Sequence, residues 1–480
     1  MTAADTVIHA PGASARGNFR RAAGIALGPL AGLAVWFSPI APDPVISHAL
    51  AITVFMVAWW IFEPVEHGIT GLIGCYLFWA LGVVKFETAF SGFADNSPWF
   101  LFGAVLMGEA AAKSGIAARI GRIGMSVAGA SYGGLLLAVI MLVLLLNFVV
   151  PSGMAQLAIL APMVMGIVNA FGVEKGSRIG RGLFVILTYS CGLFNKMILA
   201  GGATVLARGL VERITGQAIP WSTYFIAYLP AILVTVAASW LVVIWLYPPE
   251  RRRIPEGGAA GKLAARKPWT AAEKKTALVL VVAIILWATD FAHHIDPAVV
   301  ALGAGLVLVL PGIGVLTVKD VRGVNFLLTV FLGTALSMGT VLIQTGALNV
   351  LTGAMVSWMT PWLGGTLWGP SVLYWAGFFY HFLLGSELSM LSTSLPVMIG
   401  FSHAHALNPM AIAMVLAFAS GGKLFVYQSS VLVQGLSYGY FDSRDMFKVG
   451  LALSVIEGVV LFVLVPLYWP IVGISWTAPH

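Results

Sequence analysis

Apolar residues run along this chain in blocks of about 20, the length a helix needs to cross a bilayer, with the charged residues gathered between them. Such blocks at 22–41, 45–62, 68–86, 98–113, 183–207, 222–247, 274–291, 297–316, 325–344, 410–436 and 447–470 predict about eleven spanning helices. Two further apolar stretches, 132–170 and 368–403, are long enough for two half-spans each. Each is interrupted by a polar, turn-prone step, Pro151-Ser152-Gly153 in one and Gly385-Ser386-Glu387 in the other. One reading is a pair of ordinary spans joined by a short loop. The other is a re-entrant hairpin whose tip sits at mid-membrane.

Loop charge bears on the choice, because Lys and Arg concentrate on the cytoplasmic side. With Arg16, Arg20 and Arg21 inside, Lys113, Arg119 and Arg122 also fall inside. So do Lys175, Arg178 and Arg181 after the first interrupted stretch, the basic 248–275 loop, and Arg444 with Lys448. A hairpin returns to the side it left, which fits; two full spans would preserve the same parity. Arg208 and Arg213 fall on the outer side and break the pattern. This arrangement places the N-terminus in the cytoplasm and the C-terminus in the periplasm, in a multi-pass inner-membrane protein.

Composition agrees. Of 480 residues, 59% are hydrophobic and 9% charged, against about 25% charged in soluble domains. The mean hydropathy is +0.94. That excludes a soluble enzyme, a disordered protein and a disulfide scaffold; Cys75 and Cys191 both lie in apolar runs. The net charge of +7 is scattered in short clusters between apolar runs, so no nucleic-acid partner is implied and membrane lipid is the surrounding medium.

The Gly/Pro-rich basic loop divides the chain near its middle. Trp99–Gly115 resembles Phe326–Gly346 in pattern, and Ala203–Leu210 aligns with Ser429–Leu436. With opposite sidedness, these halves read as inverted repeats, the architecture of secondary transporters. The expected plan is a disordered cytoplasmic stretch at 1–21, a first repeat at 22–247, a cytoplasmic linker at 248–273 and a second repeat at 274–470. Scaffold helices at 22–113 and 274–344, hairpins at 132–170 and 368–403, and transport helices at 183–247 and 410–470 complete an all-α polytopic membrane protein.

Charge inside an apolar span is costly and marks function by default. Lys196, Lys423, Glu387 and His381 stand out. Lys196 follows Asn195 in Tyr189–Gly202, and Lys423 lies in Ala419–Ser430; both segments carry Gly and small polar residues where a helix can break. Two ammonium groups near a shared midplane would form an anion site; the alternative is that each pairs with a carboxylate such as Glu387. Glu387 could pair with a lysine, carry a proton or ligate a cation. His381 could hydrogen-bond a carbonyl. His403 and His405 have an H-x-H spacing but no nearby cysteine or carboxylate in sequence, so no metal site is expected. Ser152-Gly153 and Ser386 stand where half-helix N-termini would present free N–H groups and a positive dipole end to an organic anion.

At these residues the sequence resembles the divalent anion/sodium symporter family, the dicarboxylate and citrate carriers, and most closely its bacterial exchanger branch. Trp59-Trp-Ile-Phe-Glu-Pro64, Phe90–Gly103, Pro151–Gln156 and Tyr380–Pro396 carry the likeness, which spans about residues 45–470. The resemblance implies a homodimer, each protomer having a scaffold and an elevator-like transport domain. It also implies Ser-Asn-Thr tips that bind substrate carboxylates and adjacent loops that bind sodium. Here Ser152 is followed by Gly153 and Met154, and Ser386 by Glu387 and Leu388, so the carboxylate-binding role carries over to Ser152 and Ser386 alone.

The resulting expectation is a secondary transporter, not an enzyme, for small organic anions such as di- or tricarboxylates. It would work by sodium-independent exchange and require no cofactor. Lys196 and Lys423 would stand in for coupling cations, leaving a permanent positive charge that keeps the empty carrier from crossing, with Glu387 able to cancel one of them. The alternatives are a sodium- or proton-coupled symporter and, from other classes, a channel or a membrane-embedded enzyme. No D-D-x-x-D or H-E-x-x-H sequence supports the last.

Overall fold

A computed structural model describes residues 13–41, 43–127, 129–148, 150, 152–255, 268–356, 360–383 and 386–478. Helices account for nearly all the regular structure, and the described residues contain no strand beyond two isolated bridges. Among the described residues, five helices are long and apolar enough to cross a membrane unaided: Pro44–Phe62, Gly153–Ala170, Trp221–Leu246, Phe326–Gln344 and Ser443–Leu467. Asn96–Ser114 and Ile116–Ile123, bent by 69°, make a sixth if taken as one span. The shortfall from eleven has local causes. Two expected spans, 183–207 and 410–436, are each interrupted at mid-length, and the run from 297 ends its helix at Val307. The first helix begins at Ala13, inside the stretch expected to be disordered.

Contacts divide the chain into two units. The first comprises residues up to Ala94 together with Leu327–Ala354. In it the tryptophan-pair motif ends a helix: Glu63 adopts φ 52° and donates its N–H to the Trp59 carbonyl at 2.9 Å. Trp60 packs edge-on against Phe331, and its indole N–H reaches the His67 carbonyl at 3.1 Å. Glu66 then caps the next helix, His67–Ala80, accepting from Gly68 N–H at 2.7 Å.

The second unit holds both interrupted stretches and both broken spans. Its ten site-building helices come in two similar series. The first runs α1 (Tyr132–Asn147), α2 (Gly153–Ala170), α3 (Arg178–Leu193), α4 (Gly202–Thr215) and α5 (Trp221–Leu246). The second runs α6 (Gly369–Tyr380), α7 (Glu387–Ala404), α8 (Pro409–Ala419), α9 (Ser430–Ser437) and α10 (Ser443–Leu467). Each series is thus a helical hairpin, a broken helix and a long helix, in the order the sequence repeat suggests. The arms of the first hairpin, at 16 and 18 residues, are about 24 and 27 Å long, longer than half-spans.

Elsewhere in this unit, Asn96–Ser114 packs on Pro297–Val307 through glycine. A Cβ at Gly305 would lie 2.8 Å from the Gly103 carbonyl, so only glycine permits this approach. Arg208 and Arg213, the exceptions to the loop-charge pattern, are not free loop charges. Arg208 is buried between Glu212 and Asp296, at 2.8 Å from each, and Arg213 lies 3.5 Å from Asp95. Where the central loop leads back into helix, Arg119 holds both oxygens of Glu273 at 2.9 and 2.7 Å and the Pro268 carbonyl at 2.8 Å. Linker residues 256–267 lie outside the described residues.

Candidate functional site

Each hairpin tip is a helix start. Ser152 caps α2, its hydroxyl accepting from Ala155 N–H at 3.4 Å, and Ser386 caps α7, accepting from Leu388 N–H at 3.2 Å. Each serine thus accepts one of the N–H groups that a helix start leaves without a partner inside the helix. Pro151 and Gly385, also expected at the tips, lie outside the described residues. Gly153 is pressed against the Cys191 carbonyl near the end of α3, and a Cβ there would come within 3.0 Å of a Val431 methyl on α9.

Both broken helices are repaired by side chains, as a low-dielectric setting requires. Between α3 and α4 a 3-10 turn carries Phe194–Lys196. Asn195 turns back to donate to Cys191 O at 3.0 Å, and Thr204 donates to Ile198 O at 3.1 Å and Gly201 O at 3.0 Å. Between α8 and α9 the backbone leaves the helix at Ser420–Gly422, and Gln428 accepts from Leu424 and Phe425 N–H at 2.8 Å each. A tyrosine hydroxyl holds the carbonyl of each lysine: Tyr224 to Lys196 at 2.8 Å, Tyr189 to Lys423 at 3.1 Å.

The two lysines are therefore placed alike, and both are paired. Lys196 Nζ lies 2.6 Å from Glu457 Oε2 on α10 and 4.3 Å from the centre of the Phe418 ring. Lys423 Nζ lies 2.7 Å from Glu387 Oε2 at the second tip. Of the two readings left open by the sequence, pairing with carboxylates is the one observed: burial without partners would be prohibitive, and Glu387 and Glu457 offset the two positive charges. Glu457 escaped the sequence reading, although it is the one Asp, Glu, Lys or Arg after Lys448 and the same rule marks it. Lys196 and Lys423 belong to one neighbourhood, since Gly421, two residues before Lys423, is in contact with the Lys196 side chain.

His381 is fully buried in the turn that ends α6, beside Gly422. Its carbonyl accepts from Gln428 at 3.4 Å, while its ring nitrogens make no hydrogen bond of ordinary geometry. A small pocket lies between α3, the second break and α9, with Gly192, Lys423, Ser429 and Val431 on its wall. Val431 connects this pocket to Gly153 at the first tip, and Lys423 connects it to Glu387 at the second. Ser152, Gly153, Asn195, Lys196, His381, Ser386, Glu387 and Lys423 thus converge on two hairpin tips and two helix breaks. Chemically, the assembly offers N–H donors, hydroxyls and a lysine with an exchangeable-looking partner, which suits an anion.

A profile of the family described as the sodium:sulfate symporter transmembrane region matches residues 27–475. Among curated proteins, the chain is 26% identical to the chloroplastic dicarboxylate transporter 2.2 of Arabidopsis thaliana, covering 92% of this chain and 83% of that one. It is 25% identical to the citrate/succinate antiporter of Escherichia coli, covering 93% and 97%. Among solved structures, the Neisseria gonorrhoeae MtrF antimetabolite efflux pump shares the fold at a TM-score of 0.57 and 12% identity, over 91% of this chain and 97% of that one. Profile, relatives and helical architecture agree: the chain belongs to the sodium:sulfate symporter transmembrane region family and is a multi-pass membrane transporter, not an enzyme.

Proposed function

We propose that this protein exchanges small di- or tricarboxylates across the inner membrane without sodium. The observation that carries the proposal is that a lysine ammonium, tied to a carboxylate, lies at each helix break. An ammonium has the charge of a sodium ion and donates hydrogen bonds to oxygens that would otherwise face one. The resemblance to dicarboxylate and citrate carriers puts sodium at such breaks, so occupied breaks remove the need for it. The names of the Arabidopsis and Escherichia coli relatives supply the substrate class.

Exchange has a different physical basis from the one expected. The buried charges cancel, so net charge does not hold the empty carrier back. The open N–H groups at the Ser152 and Ser386 tips do, because unsatisfied backbone donors cost several kcal/mol each in an apolar barrier. A bound carboxylate satisfies them, and only the loaded site crosses. We place the N-terminus in the cytoplasm, the C-terminus in the periplasm, and the moving site in an elevator-type domain of a homodimer. Proton coupling is a second reading, favoured by one observation: Glu387 is the most exposed of the four paired charges.

A thermal-shift screen of purified protein against succinate, malate, citrate and sulfonates, with and without sodium, tests the reading. Stabilisation by di- or tricarboxylates, unchanged by sodium, is expected. Stabilisation that requires sodium would contradict it.

A further inference from the structure

The two lysine–glutamate pairs have almost the same length and different surroundings. Lys196 and Glu457 retain 2% and 1% of their side-chain surface, and Glu457 lies in the middle of a long helix. That pair is sealed. Lys423 retains 5%, but Glu387 retains 30%. Glu387 is the first residue of α7, immediately after the capping Ser386, so it reaches the buried ammonium from the more open side. Lys423 also forms part of the pocket wall with Gly192, Ser429 and Val431.

A buried ammonium must keep an anionic partner, because leaving it alone costs far more than exchanging one carboxylate for another. A substrate carboxylate offers the same two acceptor oxygens as Glu387. We infer that Glu387 is a tethered stand-in for substrate: it neutralises Lys423 while the site is empty, and an incoming dicarboxylate displaces it. This rests on the reading of the chain as a carboxylate carrier and adds the residue that sets its affinity. The charged and titratable groups around the contact are Lys423, Lys196, His381 and Glu457. Of these, Lys196 and Glu457 are committed to each other. Competition by Glu387 lowers the apparent affinity by the fraction of molecules in which Lys423 is free.

The test is calorimetric binding of succinate and of citrate to the purified full-length protein, as wild type, Glu387→Gln and Glu387→Asp. Glu387→Gln keeps the shape and removes the competing charge, so affinity should rise about tenfold or more. Glu387→Asp keeps the charge on a shorter arm and should give a smaller rise in the same direction; it decides the matter if the glutamine variant does not fold. Unchanged or weaker binding by the folded variants would overturn the inference, and would mean that Glu387 holds the tip or meets a positive group on the substrate. Wild-type protein that binds neither probe would overturn the carboxylate reading itself, and this inference with it.

Discussion

At the scale of single residues, the chain is governed by four charged side chains inside apolar surroundings. Lys196 and Glu457 have no water to fall back on, so Glu457→Gln leaves a buried ammonium unpaired. The expected loss is about 3–5 kcal/mol of stability, read as a lower melting temperature and poor yield after extraction. The same change at Glu387 also leaves a buried ammonium, Lys423, without its carboxylate, so the empty protein should lose stability and bound dicarboxylate should restore it. Ser386→Ala should weaken substrate binding by about 1–3 kcal/mol if its hydroxyl meets a charged group, while the protein still purifies and melts cooperatively. Unchanged affinity in a transport titration would remove Ser386 from the site. Lys196, Lys423 and Glu387 were legible in sequence, because an ionisable residue in an apolar run has few innocent explanations, and pairing with Glu387 was one reading of them. The partner of Lys196 was not: Lys196 and Glu457 are 261 positions apart, and no local pattern joins them.

Among elements, hairpin ends were easier to read than span numbers. The stretches expected at 132–170 and 368–403 correspond to α1 with α2 and to α6 with α7, because Ser152 and Ser386 are capping residues that start a new helix within each stretch. Hydropathy alone counted 183–207 and 410–436 as whole spans, since the Gly and Ser residues that break them barely lower an average over 20 positions. Helix contacts carry their own predictions. Gly305→Val should push Pro297–Val307 away from Asn96–Ser114 and lower the melting temperature, because the Gly103 carbonyl occupies the space a side chain would need. The Arg119–Glu273 clamp should respond to acid. The Arg119 guanidinium and the Thr270 N–H hold the Glu273 carboxyl down at about 2, from an ordinary 4.5. Its contribution is therefore complete above pH 4.5 and lost as pH falls towards 2. Melting across that range should show a loss that Glu273→Gln, already uncharged, lacks.

For the whole molecule, the sequence plan and the contact pattern divide the chain differently. The plan assigned 22–113 and 274–344 to one scaffold. Contacts group residues from Asp95, and those up to Phe326, with the hairpins and breaks. The reason lies in side chains invisible to hydropathy: Asp95 and Asp296 at helix starts engage Arg213 and Arg208 on α4, and Asn96 donates to Asp296. The central claim, that paired lysines make this carrier independent of sodium and that unsatisfied N–H groups at the tips bind it to exchange, belongs to the whole protein in a membrane. It is tested most directly by uptake of labelled succinate into proteoliposomes, either preloaded with succinate or citrate or left empty, with and without an inward sodium gradient. The account predicts rapid uptake into preloaded vesicles, little into empty ones, and no effect of sodium on either. Strong sodium-driven uptake into empty vesicles would contradict it.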